Sequence, residues 1–249
     1  MANSTASHKH LGKQCPVTGS HNWCPPQEGD SRSPCPALNS MANHGYIARD
    51  GKKIGIFDLF HGLRACYGLT RTLTFVLVVG SFFILRRITP LSLEEIGKHD
   101  AIEHNASLVH VDCPDDKEYA PIAVVPELVD ALMKEGDSDE KSDGSELTIK
   151  NLADFRVRRE RECRPVDSVH DVIARGEMAI AFGMWAKDRA GIPKEWLRDW
   201  LENGRLPKAW RPTHSQGLLD TMRRSDSIKK WMKSGKLPSG SDNSLSTQL

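Results

Sequence analysis

Three places in this chain combine side chains whose types and spacing could do chemistry. The first is Cys35, set between Pro34 and Pro36. Pro34 restricts the residue before it, and Pro36 suits the first position of a helix, where a missing N–H costs nothing. Cys35 is then an N-cap. It meets unpaired N–H groups and the positive end of the helix dipole, which lower a thiol pKa and favour the thiolate, a ligand for a soft metal. A buried cysteine in a turn fits the same spacing, since free cysteine is commonly buried.

The second place is the run Glu103-His104-Asn105-Ala106-Ser107. On a helix, Glu103 and Ser107 stand four apart on one face, with His104 about a third of a turn round. Their oxygens can serve a hard cation; a polar outer face without metal is the plainer alternative. The third is Glu177, followed by the unbroken apolar run Met178 to Trp185. A carboxylate opening such a helix is expected to be partly buried, with its pKa raised toward the range useful for acid–base work. A surface turn of the helix fits the sequence as well.

The elements that must carry these residues read as mainly α. Leu38, Met41, Ala42 and Gly45 recur at helical spacing, so a short helix is predicted from Pro36 to about His44, stopping at Gly45. Ser92 and Glu95 form a capping box, and the helix they start is predicted to reach Val109, before Pro114-Asp115-Asp116. Further helices are expected over 124–134, 148–162, 167–187 and 194–202. Thr72 to Leu85 is the most apolar stretch. Its 14 residues fall short of the roughly 20 that span a bilayer, so it is expected as a buried core helix rather than a membrane anchor. Residues 1–28 read as an irregular arm, 29–232 as one domain, and 233–249 as a disordered tail; Glu135 to Glu146, with six acidic residues, reads as a surface loop.

Bulk properties narrow the function. The 249 residues suffice for one substantial core, and 34 basic residues against 33 acidic ones give no electrostatic reason to expect nucleic acid or a membrane surface. Five arginines lie between Arg156 and Arg164, but Glu160 and Glu162 interleave with them, so a solvated, salt-bridged face is expected. Six cysteines show no zinc spacing and dictate no disulfide scaffold. No basic segment followed by an apolar one opens the sequence, so an intracellular location with reduced cysteines is the simplest expectation, and secretion follows if a leader was removed.

The string from Gly29 to Gly51 resembles the axial-ligand segment of the fungal haem-thiolate peroxidases of the short type, the family of chloroperoxidase and the unspecific peroxygenases. Glu103 to Leu108, Gly176-Glu177-Met178-Ala179, Arg205-Leu206-Pro207 and Trp210-Arg211-Pro212 follow in the family's order. The similarity runs from Gly29 to Pro212. It implies a single-domain helical fold of the chloroperoxidase type binding haem b, with Cys35 as the iron's axial ligand. Glu177 would be the acid–base carboxylate for H₂O₂, oriented by His104. Glu103, His104 and Ser107 would hold Mg²⁺ or Mn²⁺ beside a haem propionate, and Ile173, Ile180 and Ala181 would line the pocket.

The implied activity is peroxygenation or oxidation of small to medium apolar substrates. Halide oxidation is the alternative within the class, and a haem-binding protein that has lost peroxide chemistry is the alternative outside it. Two departures stand beside the site. Asn105 replaces the family's usual Asp, and Val109-His110 stands where an Arg is frequent. A neutral amide beside His104 favours the neutral imidazole and bears on pH optimum and reaction preference.

Overall fold

In the computed structural model, which describes residues 21–137, 144–185 and 189–236 together with the antiparallel strand pair β1 (Lys9–His10) and β2 (Lys13–Gln14), helices dominate. Pro36 opens α1 (Pro36–Asn43), with Cys35 as its N-cap and Gly45 in the left-handed conformation beyond its end. This matches the predicted span. Helix α2 (Ile56–Tyr67) has no counterpart in the sequence reading, because Gly62 interrupts an otherwise helix-forming stretch. The interruption has a packing cause: a Cβ at Gly62 would lie 2.6 Å from the methyl carbon of Met41 on α1.

Helix α3 (Arg71–Ile84) begins at the Thr70 cap and packs on α2. It is not the buried helix expected. Leu73, Thr74, Val78 and Phe82 face the core, whereas Phe75, Val76, Val79 and Phe83 form an exposed apolar stripe. The predicted helix from Ser92 to Val109 is also corrected. The Ser92/Glu95 box is present, with Glu95 accepting from the Ser92 N–H at 2.7 Å, but α4 spans only Leu93–Ile96. Beyond it the backbone turns to pair with residues 118–120: His99 N–H donates to the Glu118 carbonyl and Ala120 N–H to that of Gly97. Asp100 and Ala106 adopt positive φ, which no continuing helix permits.

Helix α5 (Pro126–Met133) packs on α8 (Lys194–Asn203). Strands β3 (Glu146–Thr148) and β4 (Gly191–Pro193) pair antiparallel and lead directly into α6 (Ile149–Glu162) and α8, so this small sheet ties two helix starts together. Helix α7 (Ser168–Trp185) carries Glu177. Helix α9 (Leu218–Lys236) lies against α6 and α7 and runs past Lys233, where the sequence reading places a disordered tail. Half of the acidic loop (138–143) and the whole tail beyond Lys236 fall outside the described residues, as does most of the N-terminal arm. Among the described residues no helix is long and apolar enough to cross a membrane.

Candidate active site

The corner before α1 is locked by its own neighbours. The Asn39 amide donates to the Ser33 carbonyl at 2.8 Å and accepts from the Ser33 N–H at 3.0 Å, while the Cys35 N–H donates to the Ser33 hydroxyl at 3.2 Å. Buried Arg32 adds two donors to the Asn43 side-chain oxygen, at 3.1 and 2.7 Å. The Tyr67 hydroxyl donates to the Ala37 carbonyl at 2.7 Å, fixing the first turn to α2. Cys35 thus cannot swing away from its place. Its protonation differs from the expected one: desolvation and the negative charge of Glu177 push the thiol up to about 11, against the pull of the Leu38 and Ala37 N–H groups. Burial outweighs the helix terminus, so the free side chain is a thiol.

Glu177 lies in the middle of α7 and not at its head, because the helix begins nine residues earlier, at Ser168. Its side chain is 57% exposed, contrary to the partial burial expected. It has company of one kind. Val169, Val172, Ile173, Gly176 and Ile180 fall on the same helical face, and a Cβ at Gly176 would meet nothing within 4 Å. Ile180, at the end of that face, and Ala181, on its flank, are both partly buried against the core.

His104 reaches this face from the segment after α4. Its Nδ1 bonds the Asn105 backbone carbonyl at 2.7 Å, which leaves Nε2 toward Glu177 Oε2 at 3.5 Å. Burial opposes charging the ring, yet the hydrogen bond and charge of Glu177, with the Asn105 carbonyl, prevail and raise its pKa. The charge that an Asp at 105 would offer comes here from across the site. The ring of His170 lies behind, 6.3 Å between centroids.

What holds His104 there is absent from the sequence reading. Arg156, 2% exposed, donates to the Ala106 carbonyl at 2.5 Å and pairs with Glu160 at 3.2 Å. Arg159 donates to the carbonyls of Ser107 and His110 at 2.9 and 3.2 Å. Asp112 accepts from the Ala106 and Arg164 N–H groups, both at 2.8 Å. The arginine row is therefore a solvated, salt-bridged face only in part: Arg158 and Arg161 are exposed, whereas Arg156 and Arg159 are buried and pin the loop. The available signal was register, since Arg156 falls in line with the buried positions Leu152 and Ala153 of α6. Two buried groups in this region have no partner: the Asn105 side-chain oxygen and Arg156 Nη2.

The residues expected at a divalent cation are turned to other partners here. With the helix ended at Ile96, Glu103 bonds His99 Nδ1 at 2.7 Å and the Ser107 hydroxyl meets His110 Nδ1 at 3.0 Å. The donors turn to separate partners, and among the described residues no three His, Cys, Asp or Glu side chains converge. The residues do fit a haem in kind. A cysteine on a rigid corner, an apolar helix face and the His104–Glu177 pair are the donor, wall and proton carrier such a group requires.

A profile of the family described as "Peroxidase, family 2" matches residues 21–215, and the chain belongs to that family, whose members are peroxidase-type oxidoreductases. It is 40% identical over 72 residues to the aromatic peroxidase fscJ of Fusarium equiseti, covering 26% of this chain and 16% of that protein. Over 94 residues it is 31% identical to the chloroperoxidase of Leptoxyphium fumago, covering 35% and 25%. With the aromatic peroxygenase of Coprinellus radians it shares 42% over 43 residues, 17% of this chain and 16% of the other. The aligned stretches thus span a quarter or less of these relatives.

Proposed function

We propose that this protein is a haem-thiolate peroxygenase, using H₂O₂ to insert oxygen into small or medium apolar organic molecules. The observation that carries the reading is Glu177: its carboxylate stands 3.5 Å from His104 Nε2, and its charge reaches the Cys35 thiol. Cys35 would hold the iron of a haem, whose electron-rich metal supplies the cleavage of the peroxide O–O bond. Binding it releases the thiol proton. Glu177, open to solvent, takes a proton from one oxygen of H₂O₂ and returns it to the other, which leaves as water. His104 keeps the carboxylate oriented and shares that proton, because its Nδ1 is already committed to Asn105. Exposed Val169 and Val172 and half-buried Ile173 offer hydrocarbon surface beside the carboxylate, which favours an apolar substrate over a halide ion. The net reaction is RH plus H₂O₂ to ROH plus water.

Absorption spectroscopy of the ferrous CO complex tests the ligand. The protein is expected to show the long-wavelength Soret band of a thiolate-ligated haem, and Cys35→Ala is expected to abolish it. An unchanged band in that variant would refute the assignment.

A further inference from the structure

Four of the chain's tryptophans are gathered in one connected cluster that the proposed chemistry does not use. Trp185, the last residue of α7, stands at its hub. Its ring lies 6.1 Å from that of Trp200, 4.8 Å from Trp210 and 6.0 Å from Trp196, all within the range of direct aromatic contact. At the inner end, the Trp200 indole lies close enough to the Tyr67 hydroxyl to act on its charge, and that hydroxyl donates to the Ala37 carbonyl, two residues from Cys35. At the outer end, Trp196 and Trp210 are half-buried, and the Arg189 guanidinium covers Trp196 at 5.1 Å. The cluster therefore runs unbroken from the cysteine corner to the surface.

A packing role alone leaves one fact unaccounted for. Buried indoles ordinarily give their N–H to an acceptor, yet that of Trp185, at the hub, has none, and that of Trp200 has only the Tyr67 hydroxyl to turn to. An indole that loses an electron becomes strongly acidic at that N–H. At Trp185, with no acceptor in place, the proton stays, and the oxidised ring can refill only by drawing an electron from its neighbour. Trp210, by contrast, has its N–H on the Cys66 carbonyl at 2.8 Å.

We propose that Trp200, Trp185 and the pair Trp196/Trp210 form an electron relay by which electron-rich phenols too large for the interior are oxidised at the surface. This rests on the peroxide chemistry proposed above. Each phenol gives one electron to Trp196 or Trp210 and its proton to solvent; the electron passes through Trp185 and Trp200, then across the Tyr67–Ala37 hydrogen bond toward Cys35. Two phenols reduce one H₂O₂ to two waters and leave as phenoxyl radicals.

The test uses the haem-loaded protein, H₂O₂ and tyramine coupled to dextran. The wild type is expected to cross-link the dextran and, without a phenol, to gain oxygen on Trp196 and Trp210 in peptide mass maps. Trp185→Phe keeps an aromatic ring but raises its oxidation potential. It is expected to lose both signals while retaining the thiolate CO spectrum and peroxide consumption with a small apolar substrate. The double variant Trp196→Phe/Trp210→Phe, at half-exposed positions, carries the same expectation for dextran and is read where Trp185→Phe loses its fold. Cross-linking at the wild-type rate in either folded variant overturns the relay. Peroxide consumption without any marked tryptophan in the wild type overturns it alone; a wild type that consumes no peroxide overturns the peroxygenase reading with it.

Discussion

Around Cys35 most of the fixing contacts come from close by in the chain: Ser33 bonds Asn39 six positions on and Arg32 bonds Asn43 eleven on, with Tyr67 the more distant exception. Around His104 they come from far away, with Arg156 and Arg159 reaching back 50 and 52 positions and Glu177 standing on another helix again. One side of the site is thus a local motif that its own loop closure can form early; the other exists only once α6 and α7 have docked. The thiol corner is the conservative half. The proton-handling half depends on the whole fold, and substitutions remote from it should act there.

The comparison breaks most visibly at Arg156. Arg156→Met strands the Ala106 carbonyl and takes the buried guanidinium out of its pair with Glu160, and removing one member of a buried ion pair costs about 3–5 kcal/mol. Thermal unfolding should report that loss, and Arg156→Lys should recover part of it. In the part that stays folded, peroxide turnover should fall while the thiolate CO spectrum holds. A spectrum that collapsed in step with turnover would show that the two halves are not separable.

Next in size is Glu177→Gln, which removes the proton carrier without touching the corner. The rate of reaction with H₂O₂ should drop about 10²-fold, the scale of a positioned acid–base group. Stopped-flow kinetics that match the wild type would remove Glu177 from its role. The smallest effect is expected on the local side: Asn39→Ala strands the Ser33 N–H and carbonyl, and denaturant unfolding should register about 1–3 kcal/mol. Peroxide kinetics per bound haem should stay as they were.

Legibility in the sequence follows the same division. The cysteine corner was readable because its determinants, two prolines, an N-cap and Gly45, all act within a dozen residues. Helices α5 to α8 were readable from period and caps. The Glu103–Ser107 segment misled because its capping box and apolar spacing are genuine helix signals, overruled by the strand-like pairing of residues 97–99 with 118–120. Arg156 was read as surface because composition shows charge and hides register; only the loop it pins explains a buried guanidinium. The meeting of His104 with Glu177 was available through resemblance alone, since no local pattern connects positions 73 apart.

Gly97 ends α4 with its α-carbon against the ring of Pro34; a Cβ there would come within 2.8 Å of the proline Cδ. This contact is where the loop bearing His104 leans on the corner bearing Cys35. It works as a gauge block. The clearance between the two sides is set by the thickness of one proline ring and the lack of one methyl group, so even the smallest added bulk at position 97 would wedge the chain open at its working gap.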